Sequence, residues 1–464
     1  MLFSSPIFFL FFAAYFAAHL LTPKPWRIWL VVVGSAVFYG YWNVVYTGLP
    51  IALTLIAFAG ASWVVAAPAG EGRRWRLAAS LVALLLPLAF FKYTNFLVND
   101  LAAPVFGFAD HRVVDLALPL GISFVTFTLI AYVVNVARGE YPVERNLKWM
   151  LGYVLFFPHL IAGPILRPHE LIPQLKLPRF ASRRVLLAAL AIFSVGLVKK
   201  LVFADQIAIA VDNVYAAPEA ASQLEHLLAI YGFSLQIYCD FSGYTDMAIG
   251  LAMAIGVRLP NNFNSPYVAR SIGEFWRRWH ITLSHWLRDY LYIPLGGSRR
   301  GPTRQAAAVM ITMTLGGLWH GAAWTFVIWG VCHGIGVAAS HAARRLLPAG
   351  LRPPGWLSVL VTFHVVTALW IFFRAPDIAT AGAVARGALF GPAADIGAYV
   401  EAHAFHLLLL VVFLFAHRFD DHRRIRVFAR RSPAALYWPV VALLWVLAIA
   451  ISTGSSAKFI YFDF

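Results

Sequence analysis

The chain has 464 residues, of which 61% are hydrophobic, 15% aromatic and only 12% charged, with a mean hydropathy of +0.72 and a formal net charge of +16 at pH 7. Such a composition excludes an ordinary soluble domain and describes a polytopic membrane protein. The basic residues fall in short loops between apolar blocks, which is a topology signal rather than a nucleic-acid footprint, and the two cysteines, Cys239 and Cys332, supply neither a disulfide framework nor a metal site.

A membrane span takes roughly 20 apolar residues, and the hydropathic blocks predict an all-α protein with about 11 to 13 membrane-embedded helices forming a single domain over residues 1–464. The first block, LFSSPIFFLFFAAYFAAHLL, lacks a basic leader and a small-residue cleavage site, so it reads as a retained span. Residues 71–76, 167–184, 258–304, 344–352 and 418–431 are net basic and are expected on the cytoplasmic side, with the acid-biased stretches 99–115 and 205–225 outside. This alternation fails once. Residues 138–148 and 167–184 both look cytoplasmic although one apolar block separates them.

That block runs on from Met150 and contains Pro158, Gly163 and Pro164, which remove donors or loosen a helix, so a broken or re-entrant segment is predicted there. Non-helical backbone at membrane depth survives only when buried in protein or lining a cavity, and His159 is a candidate cavity-lining residue. Residues 237–250, with Asp240 and Asp246 flanking Gly243, read as a second interrupted segment. The aspartates need partners, and Asn261, Asn262, Asn264 or the Arg277/Arg278 pair are the nearby candidates, in a network that is structural rather than catalytic.

Residues 271–294, SIGEFWRRWHITLSHWLRDYLYIP, predict one amphipathic helix too charged to span. Phe275, Trp276, Trp279, Leu283, Trp286, Leu287, Tyr290 and Leu291 share a face, opposite Arg277, Arg278, His285, Arg288 and Asp289. His280 falls within the apolar arc beside Trp276 and Leu287, whereas His285 points to the polar side. A third interrupted segment, residues 314–324, places His320 between Gly317 and Gly321 with Trp319 and Trp324 as neighbours. An ionisable group inside a membrane segment costs about 2.5 to 3.5 kcal/mol on insertion scales, so it is a functional candidate unless a structural partner is evident. His320 reads equally as a catalytic group or as a histidine bonding a carbonyl in a tight helix contact. His280 reads as a site residue or as a ring packed against tryptophan, and His333, among Gly330, Gly334 and Gly336, reads as structural. No phosphate-binding glycine loop, paired catalytic carboxylates or G-x-S-x-G elbow is present.

Two stretches, EFWRRWHITLSHWLRDYLYIPLGG (274–297) and LGGLWHGAAWTFVIWGVCHG (315–334), closely resemble the membrane-bound O-acyltransferase family in its bacterial alginate O-acetylation branch. The resemblance runs over the whole chain, through FKYTNF (91–96), LPLGISFVTF (118–127), FFPHLIAGPILRP (156–168), LVKKLVFADQIA (197–208), YCDFSGYTDMAIG (238–250), WIFFRAPD (370–377) and FIYFDF (459–464), with its core motifs at about 230–345. Asn135 and Thr128 depart from the pattern, which has Asp and Gln there. The resemblance implies a ring of membrane helices, some broken, around a central tunnel, with His320 catalytic and His280 accompanying it. It also implies an inner-membrane enzyme that moves an acyl group, acetyl from cytoplasmic acetyl-CoA, to hydroxyls of an extracytoplasmic polysaccharide or to a periplasmic acetyltransferase partner. Peptidoglycan O-acetylation and teichoic-acid D-alanylation are the alternatives within the family. Trp319, Trp276, Trp324, Arg277 and Arg278 are the expected substrate-binding residues, the tryptophans excluding water and the arginines facing donor phosphates. No bound cofactor or metal is expected. The rivals from other classes are a non-catalytic transporter of an acyl donor or lipid-linked sugar, for which interrupted helices are equally suited but inverted repeats are wanting, and a scaffold for an export complex.

Overall fold

The computed structural model describes residues 1–107, 113, 116–346, 348, 353–452 and 459–460. Parts of the 99–115 and 344–352 loops and the last four residues of FIYFDF lie outside the described residues. Those described are helical or irregular, with no strand among them. Among the described residues seven helices are long and apolar enough to cross a membrane, and three shorter apolar helices accompany them. The eleven to thirteen expected from hydropathy exceed the seven because some helices are short and others carry buried polar side chains. The protein is all-α and polytopic.

Contacts divide the chain into two compact units, residues 1–193 with 247–260, and residues 194–246 with 261–464. In the first unit, α1 (Pro6–Leu21) and α2 (Arg27–Gly40) bring Phe8, Phe11 and Phe38 against Phe157. With α3 (Gly48–Val65) and α4 (Glu71–Phe106) they precede α5 (Ile122–Ala137), a helix buried along nearly its whole length, including Thr128 and Asn135.

The predicted break follows. Helix α6 (Leu147–Leu155) stops at Phe156, whose φ of −48° and ψ of 101° leave the helical region just before Pro158, and a single turn, α7 (Phe157–Leu160), precedes irregular chain leading to α8 (Pro168–Lys176). Side chains satisfy the groups the break frees. Phe157 N–H donates to Ser35 Oγ at 3.0 Å, Tyr153 OH donates to Leu166 O at 2.7 Å, and His159 Nε2 lies 2.7 Å from Tyr153 O. His159 is thus a buried closure of the break, and its hydrogen bond accounts for it without a cavity.

The second unit contains most of the motif-bearing chain. It includes the latter part of α9 (Arg183–Ala216), whose middle is a π-helical stretch over Lys199–Ala204, and most of α10 (Gln223–Ala254). Helix α10 corrects the sequence reading, because residues 237–250 are continuous helix. Gly243 does not break it; a Cβ there would lie 2.7 Å from Gly196 O, so the missing side chain permits close approach to α9. Two short helices follow, α11 (Ile272–Arg278) and α12 (Ile281–Leu287), and then α13 (Pro302–His320) and α14 (Trp324–Leu346). The unit is completed by α15 (Gly355–Arg374), α16 (Ile378–Phe390), α17 (Ile396–Ala416), the short basic α18 (His422–Arg431) and α19 (Ala434–Ile451). Large apolar side chains such as Leu408, Val411, Phe415, Leu443 and Ile449 are exposed on α17 and α19, as suits surfaces facing hydrocarbon.

Candidate active site

His320 is the last residue of α13. Helix α13 ends there because Gly321 turns to extended backbone, at φ −157° and ψ 147°, and Gly321 is small enough for the Phe326 ring to occupy the place of a Cβ. The chain reverses through Ala322 and Ala323 into α14, forming a tight hairpin. Gly317 and Gly330 face one another across it: a Cβ on Gly317 would lie 2.3 Å from Phe326 O, and one on Gly330 would lie 2.5 Å from Met313 O. The third predicted interruption is therefore real, and its glycines are what allow the two backbones to meet.

The His320 ring is 2% exposed and walled by aromatic rings, with centroids 4.9 Å from Trp319, 5.1 Å from Trp329 and 5.2 Å from Phe373. Trp319 also touches the second histidine, at 6.0 Å from His280, and Phe241 packs edge-on against His280 at 4.7 Å. One tryptophan thus joins the two imidazoles the sequence singled out. Both are buried and lined by aromatic rings.

His280 occupies a position that periodicity did not reveal. The predicted single helix over 271–294 is two helices, with Ser271 Oγ accepting from Glu274 N–H at the start of α11 and the chain turning at Trp279 and His280. His280 has φ 41° and ψ 55°, one of two non-glycine residues among those described with positive φ. No glycine or proline marks this turn. A left-handed conformation costs a bulky residue about 1–3 kcal/mol and persists when its surroundings over-determine it. Here Ile281 N–H donates to Asn262 O and Asn264 N–H donates to Arg278 O, both at 2.9 Å, clamping the turn from either side. The wheel survives the kink, since Phe275, Trp276, Trp279, Leu283, Trp286 and Leu287 are buried while Arg277, His285 and Arg288 are exposed.

The remaining candidates divide. Trp276 is buried and its Nε1–H donates to His333 Nδ1 at 3.2 Å, and the His333 ring packs 4.6 Å from Trp329. His333 therefore shares Trp329 with His320, because the break at Gly321 folds α14 back; only an unbroken helix would have pointed the two histidines apart. Trp324 is 42% exposed at the start of α14. Arg277 is exposed, and Arg278 is tied to Glu274 by two contacts of 2.9 Å and to Asn264 O at 3.2 Å. The structure brings Trp319, His280 and His320 together and leaves Trp324 and Arg277 on the surface.

The aspartates find partners the sequence reading did not propose. Lys199 Nζ lies 2.6 Å from Asp246 and 2.5 Å from Asp420, and Lys200 Nζ lies 2.6 Å from Asp205 and 2.8 Å from Asp240. Further donors complete the cluster: His422 Nε2 at 2.6 Å from Asp246, Tyr238 OH at 2.5 Å from Asp420, and Ile460 N–H at 2.8 Å from Asp240. Asn261 enters only through His422 Nδ1, at 2.9 Å, and neither Arg277 nor Arg278 supplies a bridge to these carboxylates. The ions are buried and mutually compensated, as a structural network requires.

Residues 135–375, just over half the chain, match the family model described as MBOAT, membrane-bound O-acyltransferase family. The chain is 41% identical over 393 residues to a probable alginate O-acetylase of Azotobacter vinelandii, an alignment covering 82% of this chain and 76% of that protein. The chain belongs to the membrane-bound O-acyltransferase family. It is an O-acyltransferase and a multi-pass membrane protein. A peptidoglycan O-acetyltransferase of Helicobacter pylori is 37% identical over 83% of this chain and 79% of its own length. A teichoic acid D-alanyltransferase of Bacillus subtilis is 27% identical over 62% and 74%. The matched region of this acyltransferase contains both buried imidazoles and Trp319, the residue directly before His320. It also contains Asn262, whose amide oxygen lies 3.2 Å from His280 Nδ1 and which sequence reasoning had offered only as a partner for the aspartates. The useful signal was its burial-prone setting in RLPNNFNSPY, ahead of the histidine motif by less than twenty residues, but nothing local distinguished it from Asn261 or Asn264.

Proposed function

We propose that this acyltransferase moves acetyl from cytoplasmic acetyl-CoA, across the bacterial inner membrane in which it sits, to a hydroxyl on an extracytoplasmic polymer or on a partner acetyltransferase that finishes the transfer. An exported polysaccharide of the alginate type is the acceptor favoured by the 41% relative, with peptidoglycan second. The observation that carries the reading is the pairing of two buried imidazoles on one tryptophan, Trp319, inside the family's matched region.

His320 acts as general base. It takes the proton of the acceptor hydroxyl as that oxygen attacks the thioester carbonyl carbon. The tetrahedral intermediate collapses by breaking the carbon–sulfur bond, and the departing thiolate receives the proton from the imidazolium, giving ester and free coenzyme A. His280 orients the reactants, and Trp319 and Trp276 keep water from the thioester. In this reading Arg277 and Arg278, at the margin of the histidine turn, meet the donor's phosphates, and Trp324 borders the entry.

The test is coenzyme A release from acetyl-CoA by the purified protein in nanodiscs, for wild type and for His320→Ala. Loss of the base is expected to lower turnover roughly 10²–10⁴-fold with insertion and folding unchanged. Retained transfer would remove His320 from the mechanism. Acetylation of whole polymer by this chain alone would remove the partner.

A further inference from the structure

His280 Nδ1 lies 3.2 Å from Asn262 Oδ1, and the same oxygen lies 3.2 Å from Thr282 N and 2.9 Å from Thr282 Oγ1. The backbone N–H of Thr282 can only donate, so the Asn262 atom facing it must be the amide oxygen and not the nitrogen. An amide oxygen has no proton to give. The contact to His280 is therefore made by a proton on Nδ1, which leaves the lone pair of the neutral ring on Nε2. Asn262 is 1% exposed and is fixed twice over, since its own carbonyl accepts from Ile281 N–H at 2.9 Å, the residue directly after His280. The left-handed backbone at His280 and the oriented amide thus serve one end: a single ring orientation and a single tautomer.

We infer that Asn262 is a positioning residue for the acyl-transfer reaction, holding His280 in the Nδ1–H tautomer so that Nε2 is presented to the substrate as a hydrogen-bond acceptor. The chemical class it recognises is a donor group on substrate, either the acceptor hydroxyl or an amide N–H of the coenzyme A arm. This inference rests on the role given to His280 above. Without the oxygen at 262 the ring populates the Nε2–H form, which meets a hydroxyl or amide donor with another donor.

The experiment compares Asn262→Ala, Asn262→Asp and His280→Ala in nanodiscs, measuring kcat and KM for acetyl-CoA together with solid-state ¹⁵N spectra of histidine-labelled protein, the His280 signals identified by their loss in His280→Ala. Asn262→Ala is expected to lower kcat by roughly 10–100-fold or more, the range seen when a supporting partner is removed from a working imidazole. KM is expected within about threefold of wild type, and the His280 signals should move toward the Nε2–H form. Asn262→Asp keeps an acceptor oxygen and is expected to retain kcat within about tenfold and the Nδ1–H signature. Should the alanine variant fail to fold, the aspartate variant and the wild-type spectrum still decide. An Nε2–H signature in wild type, wild-type kcat in a folded Asn262→Ala, or an Asn262→Asp with its kcat lost and its Nδ1–H signature gone would overturn the inference. Turnover retained in His280→Ala would overturn the role of His280 itself; an inactive His280→Ala beside a fully active Asn262→Ala would overturn the assignment of Asn262 alone.

Discussion

Replacing Lys199 by Met tests the claim that the buried ion cluster is structural. Its ammonium stands 2.6 Å from Asp246 and 2.5 Å from Asp420, and the side chain is 11% exposed. At an effective dielectric constant near 20, each contact is worth roughly 6 kcal/mol of gross Coulomb energy, most of which offsets the desolvation of the ions. The net loss on removing one partner of a buried pair is about 3–5 kcal/mol, and here a single deletion takes the ammonium from two carboxylates, leaving His422 and Tyr238 as their hydrogen-bond partners, so the upper end applies. Set against a total stability of about 5–15 kcal/mol, this is severe. At about 2–4 °C per kcal/mol, an apparent Tm lowered by roughly 10–20 °C is expected in detergent, measured by heating followed by size-exclusion recovery. The sharper prediction concerns the triple variant Lys199→Met, Asp246→Asn, Asp420→Asn. It removes the two uncompensated charges as well, so it should be more stable than the single variant despite three substitutions. A single variant within about 2 °C of wild type, or a triple variant less stable than the single, would refute the argument.

Two further substitutions probe the frame of the site. Gly330→Ala places a Cβ 2.5 Å from Met313 O and should spread the hairpin whose first arm ends at His320, costing about 1–3 kcal/mol and lowering coenzyme A release; unchanged Tm and turnover would show that the hairpin yields without consequence. Asp377 caps α16 by accepting from Thr380 N–H at 2.7 Å, and that hydrogen bond holds its carboxyl below the usual carboxylate range. Because its folded value is depressed, its stabilisation is present above the unfolded value near pH 4 and fades as pH falls through the folded value. Asp377→Ala should cost a few tenths to about 1 kcal/mol at neutral pH and nothing in strong acid, and a loss independent of pH would contradict the capping role.

Much of the site was legible because its chemistry and its glycines are local. His320 stood out as an imidazole among Gly and Trp, and Pro158 announced the break after α6, where proline and a non-helical Phe156 coincide. What stayed hidden is of two kinds. The partners of Asp240 and Asp246 come from Lys199, Lys200 and His422, between 40 and 176 positions distant in sequence, and no periodicity links them. Gly243 looked like a breaker because composition does not separate a glycine that bends a helix from one that lets another helix approach. The turn at His280 is the second kind: its left-handed backbone is imposed by hydrogen bonds from residues 262 and 264, so the local sequence still reads as one amphipathic helix.

The placement of His320 bears on the proposed chemistry. In the proposed chemistry the general base gains positive charge as it takes the hydroxyl proton, and His320 stands at the C-terminal end of a 19-residue helix, where the macrodipole presents its negative end. That interaction is worth about 0.3–1 kcal/mol at exposed ends and up to about 2 kcal/mol when partly buried. Trp319, Trp329 and Phe373 lie within the distance at which ring faces attract a cation, adding about 0.5–2 kcal/mol where the geometry allows. Together these terms amount to no more than about a thousandfold in rate, while acyltransfer at neutral pH demands far more. The larger share must come from holding hydroxyl, thioester and imidazole in register. On the proposed mechanism that share falls to the histidine pair, held by a glycine-packed hairpin on one side and an asparagine-clamped turn on the other.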